Sequence, residues 1–325
     1  MSVPSILIIK TSSLGDVVHN LPIVADIRAR IPDARIDWVV EEPFAEVPAL
    51  HPQVTRVLPV AMRRWRKSLF ARSTWHEIAA LRHALRNQRY DHVLDTQGLL
   101  KSAVIARWAN GPVVGQDAAS VRERVAAWFY DQTFHVVRGQ HAVARNRDLA
   151  AQALGYAPPE TPPDYGLRVP ADAVLVSRLP ARFCVCLHAT SWPSKRWPES
   201  SWIELGGRIA AAGLVSLFPW GNAEERARAE RIASQVAGAV VPAKLTLREL
   251  AVVLDRAVGV IGVDTGLVHL SAALARPTVA IYIDSSPQLT GLLPPDAARA
   301  VSLGGKGQVP AISEVWRALA RLRIV

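Results

Sequence analysis

The chain has 325 residues, 50% of them hydrophobic, and a net charge of +10 at neutral pH. That length exceeds one compact core and suits two domains, and the positive balance favours an acidic partner: nucleic acid, anionic lipid or a phosphorylated substrate. No apolar run approaches the ~20 residues that span a bilayer, and Lys10 interrupts the apolar start before a secretory leader can form. The expectation is a soluble cytoplasmic protein able to sit on a membrane surface.

Ser5 to Ile9 is a continuous apolar run, expected as a strand buried on both faces. Lys10-Thr11-Ser12-Ser13-Leu14-Gly15-Asp16 is a polar loop without the Gly-Lys-Ser/Thr ending of a P-loop. Helical spacing then runs from Val17 to Ile31. Further strands are expected at Ile36–Val40, Val54–Val60 and Tyr90–Leu94, the last followed by Asp95-Thr96-Gln97-Gly98. Between them, Arg63, Arg64, Arg66, Lys67 and Arg72 interleave with Trp65, Leu69 and Phe70. Such a cluster either holds phosphates or a headgroup surface, or is only a solvated charged face. Helices are expected at Ile78–Asn87, Ser102–Trp108 and Ala142–Leu154, and Arg122–Tyr130 is apolar and basic.

Pro158, Pro159, Pro162, Pro163 and Pro170 mark a stiff linker, giving a first domain over 1–160 and a second over 161–310. The second half restarts the pattern with strands at Phe183–Leu187, Val215–Phe218, Ala239–Val241, Ala257–Val263 and Thr278–Ile283. Cys184 and Cys186 lie two apart in an apolar run and read as core thiols rather than a bridge. Helices are expected at Trp202–Ala212, Glu224–Val236 and Leu247–Ala257. A terminal helix within 311–325 is open to packing back on the first domain.

Both halves are thus α/β, with polar loops at the carboxyl ends of their strands, where open parallel sheets bind ligands. In the first half these loops hold Ser12, Ser13, Asp16 and Asp95; in the second, Thr190, Ser191, Lys195, Trp220, Asp264, Thr265 and Gly266. At Asp264-Thr265-Gly266 a strand turns tightly into a helix, whose first amides either meet an anion or are capped by the Asp or Thr side chain. Lys195 and these amides suit a diphosphate, while Trp220 or Leu245 suits a base. Asp16 either caps its helix or serves as a general base. His19 and His269 sit on helices, where a polar position without a ligand role is the commoner assignment. No Cys-x-x-Cys, His-Glu-x-x-His, Gly-x-Ser-x-Gly or Gly-x-Gly-x-x-Gly pattern is present, which argues against a bound metal, a hydrolase triad and a dinucleotide oxidoreductase. A basic nucleic-acid-binding protein accounts for the charge but not for the two sets of strand-end loops.

Several segments together resemble the ADP-heptose:lipopolysaccharide heptosyltransferases. They are Lys10 to His19, Asp37-Trp38-Val39-Val40-Glu41-Glu42, Arg63 to Lys67, Gln97 to Ser102 and Val263 to Leu270. The Arg63–Lys67 cluster and Lys195-Arg196-Trp197-Pro198-Glu199 are most similar to the type I enzymes, which add the first heptose. The resemblance implies two Rossmann-like domains facing across a cleft (GT-B architecture). It also implies an ADP-heptose donor, a Kdo-lipid A acceptor on the anionic inner-membrane surface, inversion, and neither a metal nor another cofactor. Asp16 falls on the family's base and Lys195 on the residue beside the phosphates. Ser12, Ser13, Gly15, Thr190, Ser191, Trp220, Gly221, Leu245, Asp264, Thr265, Gly266 and His269 fall on donor-side positions. Arg63, Arg64, Arg66, Lys67 and Arg122 fall on acceptor-side basic positions. The chain departs from the family at Asp284-Ser285-Ser286-Pro287, where Gly-Pro-Thr-Asp-Pro is usual. A type II or III enzyme acting on an already heptosylated core is the alternative within the family.

Overall fold

A computed structural model describes residues 3–170 and 179–325. The chain divides into two compact units, Met1–Gly166 and Leu167–Val325, so the boundary falls inside the proline-rich stretch. Each unit is built around one parallel sheet.

The first sheet contains β1 (Ser5–Ile9), β2 (Arg35–Glu41), β3 (Arg56–Val60), β4 (His92–Asp95), β5 (Val113–Gln116) and β6 (Gln132–Phe134). Its order is β3-β2-β1-β4-β5-β6. All five residues of β1 are buried, and Ile6 to Ile9 have no exposed surface, because helices cover both faces of a central parallel strand. Leu7 lies between Asp37 of β2 and Val93 of β4. After β1 the chain turns to one side for β2 and β3, then returns to the other side for β4. The loops leaving β1 and β4 therefore part, which opens a crevice at the carboxyl edge. Residues 10–16 and 96–98 occupy that edge.

The second sheet contains β7 (Phe183–Leu187), β8 (Val215–Leu217), β9 (Gly259–Val263), β10 (Thr278–Tyr282) and β11 (Ala300–Gly304), in the order β11-β10-β9-β7-β8. Here the direction reverses between β7 and β9, so residues 188–198 and 264–266 flank the crevice. Trp197 and Trp202 meet edge to face at 5.3 Å beneath this edge, and Trp202 meets Phe218 at 6.3 Å. The C-terminal helix Ile312–Arg321 belongs to the second unit. Val315, Ala318 and Leu319 are buried in that unit's core, and Ile324 fills the space left by Gly259.

Some expected elements differ. The helical spacing over Val17–Ile31 resolves into two helices, Leu14–Val18 and Pro22–Arg30. Pro22 has no N–H to continue the first helix and instead starts the second. The helix expected from Ile78 begins at Arg72, inside the basic stretch. Strands β5, β6 and β11 were not anticipated: each is short, and β6 and β11 are partly exposed edge strands with weak apolar patterns. The strand expected at Ala239–Val241 reduces to a single bridge between Leu217 and Val240. Among the described residues, no helix is long and apolar enough to cross a membrane.

Candidate active site

In the first unit, β1 delivers Lys10 into the sheet edge. Its ammonium is buried and donates to the Thr96 carbonyl at 2.7 Å. Burial pushes the Lys10 pKa down, while Asp16 and then Asp95 pull against that shift. The Gln97 side-chain oxygen accepts from the backbone N–H of Thr11 at 3.0 Å and of Ser12 at 3.1 Å. Lys101 donates to the Ser12 hydroxyl at 3.2 Å. The loop is thus held from outside, and its own end is held by Asp16. That carboxylate accepts from Ser13 N–H at 2.8 Å and from Ser13 Oγ at 3.1 Å, both on Oδ2. Asp16 caps its own helix through one oxygen. Its half-buried carboxylate keeps Oδ1 without a hydrogen bond among the described residues.

Asp95 supports this floor from below. It is buried and accepts from Gln97 N–H at 2.9 Å, Gly98 N–H at 3.2 Å, Ser102 Oγ at 2.8 Å and Tyr130 OH at 2.8 Å. Burial raises its pKa against the opposing effect of those four donors. The sequence placed Asp95 in a strand-end loop but carried no sign of its bond to Tyr130, nor of the Lys10 and Lys101 bonds that hold the loops beside it. Those contacts join residues up to 89 positions apart.

In the second unit, the end of β9 and the loop after β7 converge on Asp264. Lys195 donates to Asp264 Oδ2 at 2.6 Å, and Ser285 Oγ donates to the same oxygen at 2.7 Å. His269 Nε2 lies 3.6 Å from Oδ1, and Thr190 Oγ1 donates to the Asp264 carbonyl at 3.1 Å. Burial alone would raise the Asp264 pKa. Hydrogen bonds from His269, Lys195 and Ser285 overcome it and hold the carboxyl well below the usual range. Thr265 is the N-cap of the helix Gly266–Ala273, yet its side chain makes no capping bond. His269, a polar helix position by spacing alone and a donor-side position by the family resemblance, is part of this cluster. Ser285, in the loop that departs from the family pattern, is part of it too.

Further along the edge, Trp220 donates to the Pro242 carbonyl at 2.8 Å, and the Arg226 guanidinium lies 5.4 Å from its ring centroid. A cavity of about 350 Å³ opens beside it, lined by Trp220, Arg226, Glu230 and residues 241–244. Leu245 follows this lining, half-buried, just before the N-cap Thr246. Gly221 N–H donates to Glu225, whose carboxylate also takes the Asn222 amide. Ser191 is exposed in the loop after β7.

The basic cluster is less uniform than its sequence suggests. Arg64 is bracketed by Glu42 at 3.0 Å and Glu77 at 2.9 Å, so its charge is already answered. Arg63 lies over the Phe44 ring at 5.7 Å. Arg66 and Lys67 are exposed, as are Leu69, Phe70 and Trp75. Trp65, by contrast, is buried and donates to Glu77 at 2.7 Å.

Two parallel α/β units with polar clusters at their carboxyl edges suit an enzyme that handles a nucleotide-linked substrate. The family model described as glycosyltransferase family 9 (heptosyltransferase) matches residues 78–314, and the chain belongs to that family. It is similar to lipopolysaccharide heptosyltransferase 1 of Pseudomonas aeruginosa, with 46% identity over 287 residues, 88% of this chain and 80% of that protein. It is likewise similar to lipopolysaccharide heptosyltransferase 1 of Escherichia coli, with 44% identity over 88% of this chain and 90% of that protein. Among solved structures, Escherichia coli heptosyltransferase WaaC with ADP-2-deoxy-2-fluoro heptose matches with a TM-score of 0.85 at 40% identity. That match spans 97% of this chain and 99% of the other. The chain is a glycosyltransferase with Rossmann-like units of the GT-B class; the oxidoreductase and nucleic-acid readings fall away.

Proposed function

We propose that the chain transfers L-glycero-D-manno-heptose from ADP-heptose to the Kdo sugar of Kdo-lipid A, with inversion and without a metal. The observation that carries this reading is the Asp264 cluster. A lysine, a helix start and two strand-end loops meet there, where a departing diphosphate needs positive charge set in advance. Lys195 and the first amides of the helix Gly266–Ala273 take the role that a divalent ion plays in other transferases. Thr190, Ser191 and His269 complete the donor side. The cavity beside Trp220, with Gly221 and Leu245 at its margins, suits the base and ribose.

On the first unit, Asp16 is assigned as general base. Its Oδ2 is spent on Ser13, which fixes the side chain; Oδ1 takes the proton of the acceptor hydroxyl. The hydroxyl oxygen bonds to the anomeric carbon as the bond to the diphosphate oxygen breaks, and the electron pair leaves with ADP. Ser12, Ser13 and Gly15 shape this loop. The acceptor's negative charges face Arg63, Arg66, Lys67 and Arg122; Arg64, already paired, supports the loop instead.

Similarity to the type I enzymes supports Kdo, rather than heptose, as acceptor. Incubation with ADP-heptose and Kdo2-lipid A should add one heptose by mass spectrometry. An already heptosylated acceptor should stay unmodified; the reverse pattern would overturn the reading. Exposed Phe70, Leu69 and Trp75 beside Arg66, Lys67 and Arg72 further suit peripheral attachment to an anionic cytoplasmic membrane face. Flotation with anionic vesicles should decline as salt rises, and salt-independent or absent flotation would remove the attachment.

A further inference from the structure

The loop after β10 carries a hydroxyl into the Asp264 cluster, and its own fold does not need that bond. The Ile283 carbonyl accepts from the Gly307 N–H at 2.8 Å, and the Tyr282 hydroxyl donates to the Thr290 carbonyl at 3.3 Å. The short turn Pro287–Thr290 is closed by its own backbone. Leu289 and Thr290 N–H both donate to the Ser286 carbonyl, and Gly291 N–H donates to the Pro287 carbonyl at 2.7 Å. Leu292 N–H then donates to the Ser302 hydroxyl of β11 at 3.2 Å. Residues 282–292 are thus mounted on the sheet without help from Ser285, and the Ser285 hydroxyl is spent on Asp264 Oδ2 at 2.7 Å. Counted back from Pro287, which the family pattern shares, Ser285 stands at its threonine and Ser286 at its aspartate. The chain keeps a hydroxyl where it meets Asp264 and gives up a carboxylate one residue on.

The bond falls on the oxygen that Lys195 also uses. Lys195 Nζ lies 2.6 Å from Oδ2, with its side chain 23% exposed against 10% for Asp264. The lysine is therefore the partner with a way out to an arriving anion, and the carboxylate is the one that stays inside. A diphosphate drawn to Lys195 competes with Asp264 for the same ammonium. An ammonium turned away from a bare Oδ2 would leave a mostly buried charge unanswered, which is the costly way to break such a pair. Ser285 lessens that cost: it remains on Oδ2, while His269 remains 3.6 Å from Oδ1. A carboxylate whose charge is already shared among several donors also holds each of them less tightly.

We propose that Ser285 is a positioning residue for the donor: by holding Asp264 Oδ2 it lets Lys195 turn toward the diphosphate. The proposal rests on the donor-side reading of Lys195 given above. Ser285 acts through the lysine and through Asp264, and it makes no contact with the nucleotide itself. Its worth is therefore expected only where Lys195 is present.

The test uses the full chain as wild type, Ser285→Ala, Ser285→Thr, Lys195→Ala and the Lys195→Ala, Ser285→Ala double variant, with ADP binding read by calorimetry. Ser285→Ala should weaken ADP binding by about threefold to tenfold, and Ser285→Thr should restore it. Over Lys195→Ala, the same Ser285→Ala change should move ADP affinity by less than about twofold, because the lysine it serves is gone. Equal losses in the two backgrounds would reduce Ser285 to a loop contact and overturn the proposal; so would unchanged affinity in Ser285→Ala. A second readout needs neither nucleotide nor a folded double variant. An amine-reactive ester consumes unprotonated amine, and the extent of Lys195 acylation is read by peptide mass spectrometry. In Ser285→Ala the carboxylate, short of one donor, should hold the ammonium harder and slow acylation of Lys195 about threefold or more, with Ser285→Thr reacting like wild type. A rate unchanged in Ser285→Ala would overturn the proposal as well. If wild type binds no ADP while acylation still slows, the donor reading fails and the coupling of Ser285 to Lys195 stands.

Discussion

Asp16 shows how one carboxylate can serve two ends. Oδ2 completes a capping bond with Ser13, which fixes the side chain; Oδ1 makes no hydrogen bond among the described residues. Asp16→Asn can still accept from Ser13, so the helix should survive. The expected outcome is a kcat lower by about 10²–10⁴-fold with ADP affinity unchanged, read by steady-state kinetics and calorimetry. A near-normal rate would take Asp16 out of the mechanism. Lys195 makes the opposite case, because its removal unbalances a neighbour. Lys195→Ala should weaken ADP binding by about tenfold or more, the worth of a charge-assisted contact to phosphate. It should also lower stability, by leaving Asp264 with Ser285 and His269 alone. Affinity equal to wild type in calorimetry would contradict the donor role.

At the scale of elements, the legible parts are those whose cause is local. β1 and β7 run Ser5–Ile9 and Phe183–Leu187, because a continuous apolar run is buried only inside a sheet covered on both faces. The Ala142–Leu154 helix ends where Gly155 takes φ +72°. The edge strands β6 and β11 need less apolar length, and β5, an interior strand, spans only four residues, so none of the three carries a strong local pattern. Distance along the chain hid the Lys10–Thr96 and Tyr130–Asp95 bonds beneath the site. Only the fold brings those residues together, whereas Asp16, Lys195 and Asp264 stand in recognisable loops. β5 nonetheless matters to the site. A Cβ on Gly115 would overlap the Tyr130 ring, whose hydroxyl holds Asp95. Gly115→Ala should destabilise the first unit by about 1–3 kcal/mol, as overpacking does, and should raise the acceptor KM. Denaturant midpoints and kinetics would show both, and an unperturbed protein would mean that Tyr130 has room to move.

Across the whole molecule, His51 in the first unit and His188 in the second are the buried histidines of the described residues whose pKa is driven far down. Burial lowers the pKa of His51 to about 4 and, with Arg228 nearby, that of His188 to about 4. An unfolded histidine titrates near 6.5, so between these values the unfolded chain binds more protons. The stability from each ring is complete above about pH 6.5 and declines as pH falls toward 4, at about 1.4 kcal/mol per unit for each ring. Denaturant midpoints should therefore drop steeply from pH 6.5 to 4.5, and His188→Phe should flatten the slope for the second unit. A midpoint constant over that range would show that both rings reach water in the folded state.

Cys184 and Cys186 sit on β7, an interior strand of the second sheet, both buried, and burial raises both thiols, Cys184 to about 12. Thiolate is what alkylating reagents consume, so the native enzyme should ignore them. Each alkylation event would then time an opening of the second unit. A cysteine placed elsewhere on the surface would carry a fluorophore against an almost silent background, with no need to remove the natural pair.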